Sequence, residues 1–235
     1  NQQIRGKLKK DLDILIRHES IYHHIWKDKR RSGFLYQNLR HRGKKYCRRR
    51  NLKAGRGCIP NRIGIESRPK IVDKKIRIGD WELDTIVGKN HQGAIVTMVD
   101  RASKYTRLAL VKKRTAEAVT VAIRKALEPF KPAVLSLTAD NGKEFANHLA
   151  LSKILEAPVY FAKPYHAWER GLSEHTNGLV RQYFPKKTDF ASLSDDDLAA
   201  VEFLLNTRPR KVLNFQTPAE IFPSFSRLTG FALQA

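Results

Sequence analysis

Between Trp81 and Lys113 the chain alternates short β-branched and apolar runs with polar breaks. "WELDTIVG", "AIVTMVDRAS" and "YTRLALVKK" are separated by turns of Gly, Asn, Ser and Lys, a grammar that predicts three hairpin-linked strands. The period then changes. "TAEAVTVAIRKALEPF" repeats its apolar residues at helical spacing and stops at Pro129, and "AVLSLTAD" follows as a short strand. A further helix, "KEFANHLALSKILEA", the strand "VYFA", a polar stretch over 161–185 and the helix "SDDDLAAVEFLLNTRP" complete the order β-β-β-α-β-α-β-α-α. Three antiparallel strands followed by alternating helix and strand predict a mixed five-stranded α/β sheet covered by helices on both faces.

Before this block the pattern is different. "QIRGKLKKDLD" and "IRHESIYHHIWKDKR" read as two short helices, with Ile14, Leu15, Ile21, Ile25 and Trp26 as a small core and Ser20, Tyr22, His23 and His24 projecting from the second. That outline is helix-turn-helix-like, a unit whose second helix enters a major groove. From Tyr36 to Arg68 no period survives among the Gly, Arg and Lys residues. The expected division is a helical arm at 1–35, a basic linker at 36–76 and an α/β core at 77–235.

Charge sharpens the division. The 235 residues carry a net charge of +22, and residues 1–79 hold 24 Lys/Arg against 6 Asp/Glu, whereas residues 80–235 hold 21 against 17. A basic arm on a nearly balanced core points to nucleic acid. The runs "RHRGKKYCRRRNLKAGR" and "KDKRRS" lack the apolar stripe that docking on an acidic membrane requires. Arg48, Arg49 and Arg50 are therefore expected along phosphates, with Tyr22 and His23 as arm contacts. No apolar run reaches the ~18–20 residues of a membrane span, which leads to the expectation of a soluble, cytoplasmic protein. Cys47 and Cys58 are too far apart for a zinc knuckle and read as free thiols. The chain starts at Asn1 and has one methionine, Met98, so its natural beginning is expected upstream.

The carboxylates carry the candidate chemistry. Asp84 lies inside the first core strand on one face with Asp80 and Glu82, and Asp140 ends the fourth strand before a tight Asn141-Gly142 turn. If those strands are neighbours, the two acids converge. A third acid from a later helix would complete a site for hard divalent ions, which favour oxygen ligands. Each acid alone has an ordinary alternative, as turn residue, edge charge or helix-dipole complement. Glu169 and Glu174 both lie in the polar stretch, and composition does not choose between them.

These residues resemble those of retroviral integrases and DDE transposases. "WELDTI" is similar to their first-strand motif, "ADNGKEF" to D-N-G-x-x-F, and "PYHAWERGLSEHTNGLVR" to P-Y-x5-G-x2-E-x2-N-x3-K/R. With "GDWELDTIVGKN", "ERGLSEHTNGLVRQYFPKKTDF" and "LNTRPRKVLNFQTPAEIF", and 33 residues between Asp140 and Glu174, the chain most resembles bacterial transposases of the insertion-sequence-thirty family, from about Ile16 to Phe222. It departs from them at Leu83, at "LSEHTNG", and at Arg17, where a capping serine would stand.

The resemblance implies an RNase-H-like core and an active site of Asp84, Asp140 and Glu174 holding two Mg²⁺ or Mn²⁺. Gly171 becomes the flexible-loop glycine and Glu169 a loop residue. It implies cleavage and strand transfer at inverted-repeat DNA ends, with water and then a 3′-hydroxyl as nucleophile, by a homodimer or higher assembly on element-end and target DNA near the nucleoid. Asn177 and Arg181, on the helix face of Glu174, would hold a terminal phosphate. Arg208, Arg210 and Lys211 would grip backbone or complement a helix dipole, and Trp168 would stack on a base or pack the loop. The competing functions are an RNase-H-like nuclease and a non-catalytic DNA-binding regulator derived from a transposase.

Overall fold

A computed structural model of the chain describes residues 2–39, 59–163, 169 and 171–222. The chain divides into two compact units, one of residues 1–55 with Pro209–Thr217, the other of Arg56–Arg208 with the remainder from Pro218.

The smaller unit holds helices α1 (Gln2–Leu12) and α2 (His18–Arg30) and, among the described residues, 3₁₀ turns at Leu35–Asn38 and Lys211–Leu213. Arg17 precedes α2 with no side-chain cap, because its guanidinium has no acceptor to offer the first N–H groups. The end of α2 is held instead by Asp28, whose carboxylate accepts from Leu35 N at 3.0 Å. Lys29 Nζ stands 4.3 Å from the Tyr36 ring centre and 5.2 Å from that of Trp26. The expected core of Ile14, Leu15, Ile21, Ile25 and Trp26 does not form: α2 has no buried residue and Leu15 is 75% exposed. Helices this rich in charge bury little apolar surface on their own. Gly6 is the buried point of α1, where a Cβ would overlap the ring of Phe215.

The larger unit is built on one mixed sheet of strands β1 (Ile63–Gly64), β2 (Asp80–Val87), β3 (Ala94–Asp100), β4 (Thr106–Val111), β5 (Ser136–Ala139) and β6 (Val159–Phe161), ordered β1-β6-β5-β2-β3-β4. The meander β2-β3-β4 is antiparallel, and β5, β6 and β1 add in parallel on its other side. The sheet thus has six strands, not five. β1 lies within the expected linker and has only two residues, too few to show a period of two. Residues 59–76 also contribute buried Ile59, Arg68 and Val72 and the short helix α3 (Lys70–Lys74), so this part of the basic stretch is core.

Alternation along the strands separates two layers. Trp81, Leu83, Val96, Met98 and Leu137 face α4 (Ala116–Leu127) and α5 (His148–Leu155), with Val119, Ile123 and Leu127 closing over them. Ile86, Ile95 and Leu108 face the other way, toward Leu179 and Val180 of α6 (Gly171–Tyr183) and Leu198, Val201 and Leu205 of α7 (Asp195–Asn206). Local signals set the helix starts: Thr115 caps α4, and Ser194 with Asp197 forms a capping box on α7. Phe222 returns to the first layer, its ring 4.6 Å from Tyr105 and 5.6 Å from Trp81.

Candidate active site

The face of β2 turned toward α6 begins with charge. Asp80, Glu82 and Asp84 alternate with Trp81 and Leu83 and precede Ile86 on the same face. Asp80 is 1% exposed and held by Arg77 at 2.8 and 3.0 Å and by Ser136 Oγ at 2.6 Å. Parallel pairing of β2 with β5 sets Asp80 against Ser136 and Glu82 against Thr138. Two residues beyond the last paired positions stand Asp84, in the middle of β2, and Asp140, just past the carboxyl end of β5. Open α/β sheets place their sites at such an edge.

Each of the two carboxylates is oriented from its own surroundings. Asp84 Oδ1 accepts the N–H of Thr85 at 2.8 Å, and Oδ2 accepts Asn177 Nδ2 of α6 at 3.0 Å. Thr97 of β3 donates to Asn177 Oδ1 at 2.9 Å, which turns the amide nitrogen toward Asp84. Asp140 Oδ1 accepts Gly142 N at 2.8 Å. A Cβ at Gly142 would stand 2.8 Å from that oxygen and 2.5 Å from Glu144 Oε2, so glycine leaves room for both acids. Asn141, 4% exposed, anchors the turn by donating to Ala162 O at 2.6 Å and accepting from Arg62.

Two acids at this edge escape a reading of motifs. Glu144 accepts Thr85 Oγ1 at 2.9 Å, with Arg114 at 3.7 Å. Glu82 is buried against Arg101 of the β3–β4 turn and Ser173 of α6. Glu144 stands inside "ADNGKEF" and Glu82 inside "WELDTI", so position was a signal, but their partners are distant in sequence.

Glu174 occupies the first turn of α6 and is exposed. Ser173 and Asn177, four residues apart, both face the sheet, and Glu174 turns about 100° away from Ser173. Among the described residues no three His, Cys, Asp or Glu side chains converge closely enough to hold a metal ion. By donor chemistry the carboxylates fit a hard divalent cation. By position Asp84 and Asp140 each stand two residues beyond the last paired positions of β2 and β5, while Glu174 is exposed in the first turn of α6, outside a closed ligand set. Glu169 accepts Lys163 N, six residues earlier, at 2.8 Å. Gly171 opens α6, and a Cβ there would meet nothing within 4 Å.

The expected phosphate ligands are placed differently. Asn177 is engaged with Asp84 and Thr97, and Arg181 donates to Val87 O at 2.6 Å, Pro185 O at 3.2 Å and Phe184 O at 3.4 Å. Arg181 thereby ties the end of α6 to the end of β2, and burial lowers its pKa. Arg208 falls in the larger unit, Arg210 and Lys211 in the smaller. Tyr22 and His23 are exposed on α2. Arg48, Arg49, Arg50, Trp168, Cys47 and Cys58 lie outside the described residues.

A family profile described as "Integrase core domain" matches residues 76–167, the span of β2 to β6. The transposase for insertion sequence element IS4351 of Bacteroides fragilis is 48% identical, the alignment covering 94% of this chain and 68% of that protein. The chain belongs to the insertion-sequence-thirty family of transposases. Transposase InsI for insertion sequence element IS30A of Escherichia coli K12 is 35% identical over 97% of this chain and 62% of its own length, so the transposase described here spans about two thirds of the length of such relatives. Its fold is that of the catalytic core domain of BIV integrase, with a TM-score of 0.51 at 22% identity, covering 65% of this chain and 98% of that one. Among the described residues no helix is long and apolar enough to cross a membrane.

Proposed function

We propose that this chain performs the DNA cleavage and strand transfer of an insertion-sequence transposase at the ends of its element, with Asp84, Asp140 and Glu174 as active-site acids. The observation that supports the reading is the parallel pairing of β2 with β5, which runs to Glu82 and Thr138, two residues before Asp84 and Asp140. The three acids would hold Mg²⁺ or Mn²⁺, two ions per site by family resemblance. When bound, such ions supply Lewis acidity for phosphodiester chemistry.

The protein's own groups prepare that chemistry. Asn177 and Thr97 fix the rotamer of Asp84, and the Gly142 N–H does the same for Asp140. Holding both acids before DNA arrives removes a reorganisation cost from the reaction. Glu174 stands in the first turn of α6, the helix whose Asn177 reaches Asp84, and Glu169 is occupied by Lys163 N, which favours Glu174 as the third acid. The DNA itself would lie on the basic arm, including the stretch with Arg48, Arg49 and Arg50, and on Arg208, Arg210 and Lys211. Assembly as a homodimer or larger complex on two element ends belongs to the same proposal.

Variants test it. Asp84→Asn, Asp140→Asn and Glu174→Gln should each abolish cleavage and strand transfer on inverted-repeat ends in Mg²⁺ or Mn²⁺ while DNA binding persists. Glu169→Gln should lower activity only modestly. Near-normal activity in any of the three, or a dead Glu169 variant beside an active Glu174 variant, overturns the assignment.

A further inference from the structure

Of the three carboxylates on the α6 face of β2, the proposed chemistry uses only Asp84. Glu82 is 1% exposed, and an unpaired charge at that depth is strongly destabilising. Its partners are specific. Oε1 meets Arg101 Nη1 at 2.5 Å, and Oε2 accepts both the backbone N–H of Ser173 at 2.9 Å and its Oγ at 3.1 Å. Ser173 immediately precedes Glu174.

Helix α6 needs such a partner. The first N–H groups of a helix have no acceptor within it, and a local Ser, Thr, Asp or Asn normally supplies one. The sequence places Arg170 before Gly171, a side chain without an acceptor. The carboxylate arrives instead from β2, where its negative charge also suits the positive end of the helix dipole.

The contact extends beyond the helix. Arg101, 2% exposed, donates through Nε to Val72 O at 3.2 Å and faces Asp73 at 3.7 Å. Asp73 pairs with Arg68, which donates to Thr138 Oγ1 at 2.9 Å, two residues before Asp140. One polar chain, buried at Glu82, Arg101 and Arg68 and exposed at Asp73, therefore links the strands next to Asp84 and Asp140 to the turn that carries Glu174.

We infer that Glu82 is a positioning residue: it caps α6 from β2 and fixes where Glu174 stands relative to Asp84 and Asp140. The inference rests on Glu174 as an active-site acid, and its test has a readout independent of that role. In Glu82→Gln the neutral acceptor binds Ser173 more weakly, and amide exchange at Leu172–His175 should quicken about tenfold while β3 keeps its protection. Turnover in cleavage should fall roughly tenfold or more, with DNA affinity within about twofold of the parent. Should buried Arg101 unfold that variant, Glu82→Gln with Arg101→Met removes both charges, and Ser173→Ala removes only the Oγ contact. Both should still quicken exchange in the first turn.

Unchanged exchange at Leu172–His175 in these variants overturns the inference, as does a loss of turnover matched by an equal loss of DNA affinity. An active Asp84→Asn protein would instead refute the proposed function and leave the exchange result standing.

Discussion

Lys104 shows how much a single turn position can cost. It closes the β3–β4 turn with φ at 64°, a left-handed conformation that a side chain disfavours. Its ammonium donates to Arg101 O, and burial, followed by repulsion from Lys75, lowers its pKa to about 8, with Arg101 adding repulsion and Asp100 and Glu82 opposing. Between about 8 and the ordinary 10.5 the unfolded chain holds more protons than the folded one, so this residue makes stability rise with pH across that window. Lys104→Gly relieves both burdens and should stabilise the protein by about 1 kcal/mol at pH 7. The advantage should shrink from pH 8 to 10.5; denaturant melts at several pH values measure it. At the same scale, Asp84 and Asp140 were legible because alternation and an Asn-Gly turn place them without reference to distant residues. Glu82 was not, since Arg101 and Ser173 lie 19 and 91 residues away.

Elements were legible where a period had room to repeat. The order β-β-β-α-β-α-β-α-α matches β2 to α7, whereas the two-residue β1 carried no pattern. The protection of the free edge of β4 was equally invisible. α7 lays Asn206 on that edge, accepting Thr106 N at 2.8 Å and donating to Thr106 O at 2.9 Å, and Glu202 accepts Leu108 N at 3.2 Å while pairing with Arg107 at 2.9 Å. An edge strand covered this way cannot recruit another strand. Asn206→Leu leaves a buried N–H and C=O without partners and should destabilise the core by about 1–3 kcal/mol in urea unfolding. A rise in aggregation on partial denaturation is expected with it.

For the whole molecule the basic arm and the folded core overlap less than charge counting suggests. Residues 1–58 hold 18 Lys/Arg against 4 Asp/Glu, and Ile59 onward is packed into the larger unit. Deleting residues 1–55 should lower the log–log salt slope of DNA binding by roughly several units, provided the arm contacts several phosphates. The core should keep a cooperative melt. Deletion through Lys75 removes Ile59, Arg68 and Val72 as well, and should abolish that melt. An unchanged slope in the shorter deletion would show that phosphates are bound elsewhere.

The contact between Gly6 and Phe215 sets an order of events during synthesis. The smaller unit takes residues from two distant segments of the chain, Pro209–Thr217 joining 1–55. Its amino-terminal helices leave the ribosome long before Phe215 exists, so they wait for it while β1 to α7 are made. Most of the core lies between Arg56 and Arg208 and is made before Pro209–Thr217, whereas the smaller unit can close only after that segment appears and the core gains Phe222 later still. A chain truncated after Phe222 should therefore protect its arm from protease better than one truncated after Arg208, in which the arm lacks Phe215 and the core lacks Phe222.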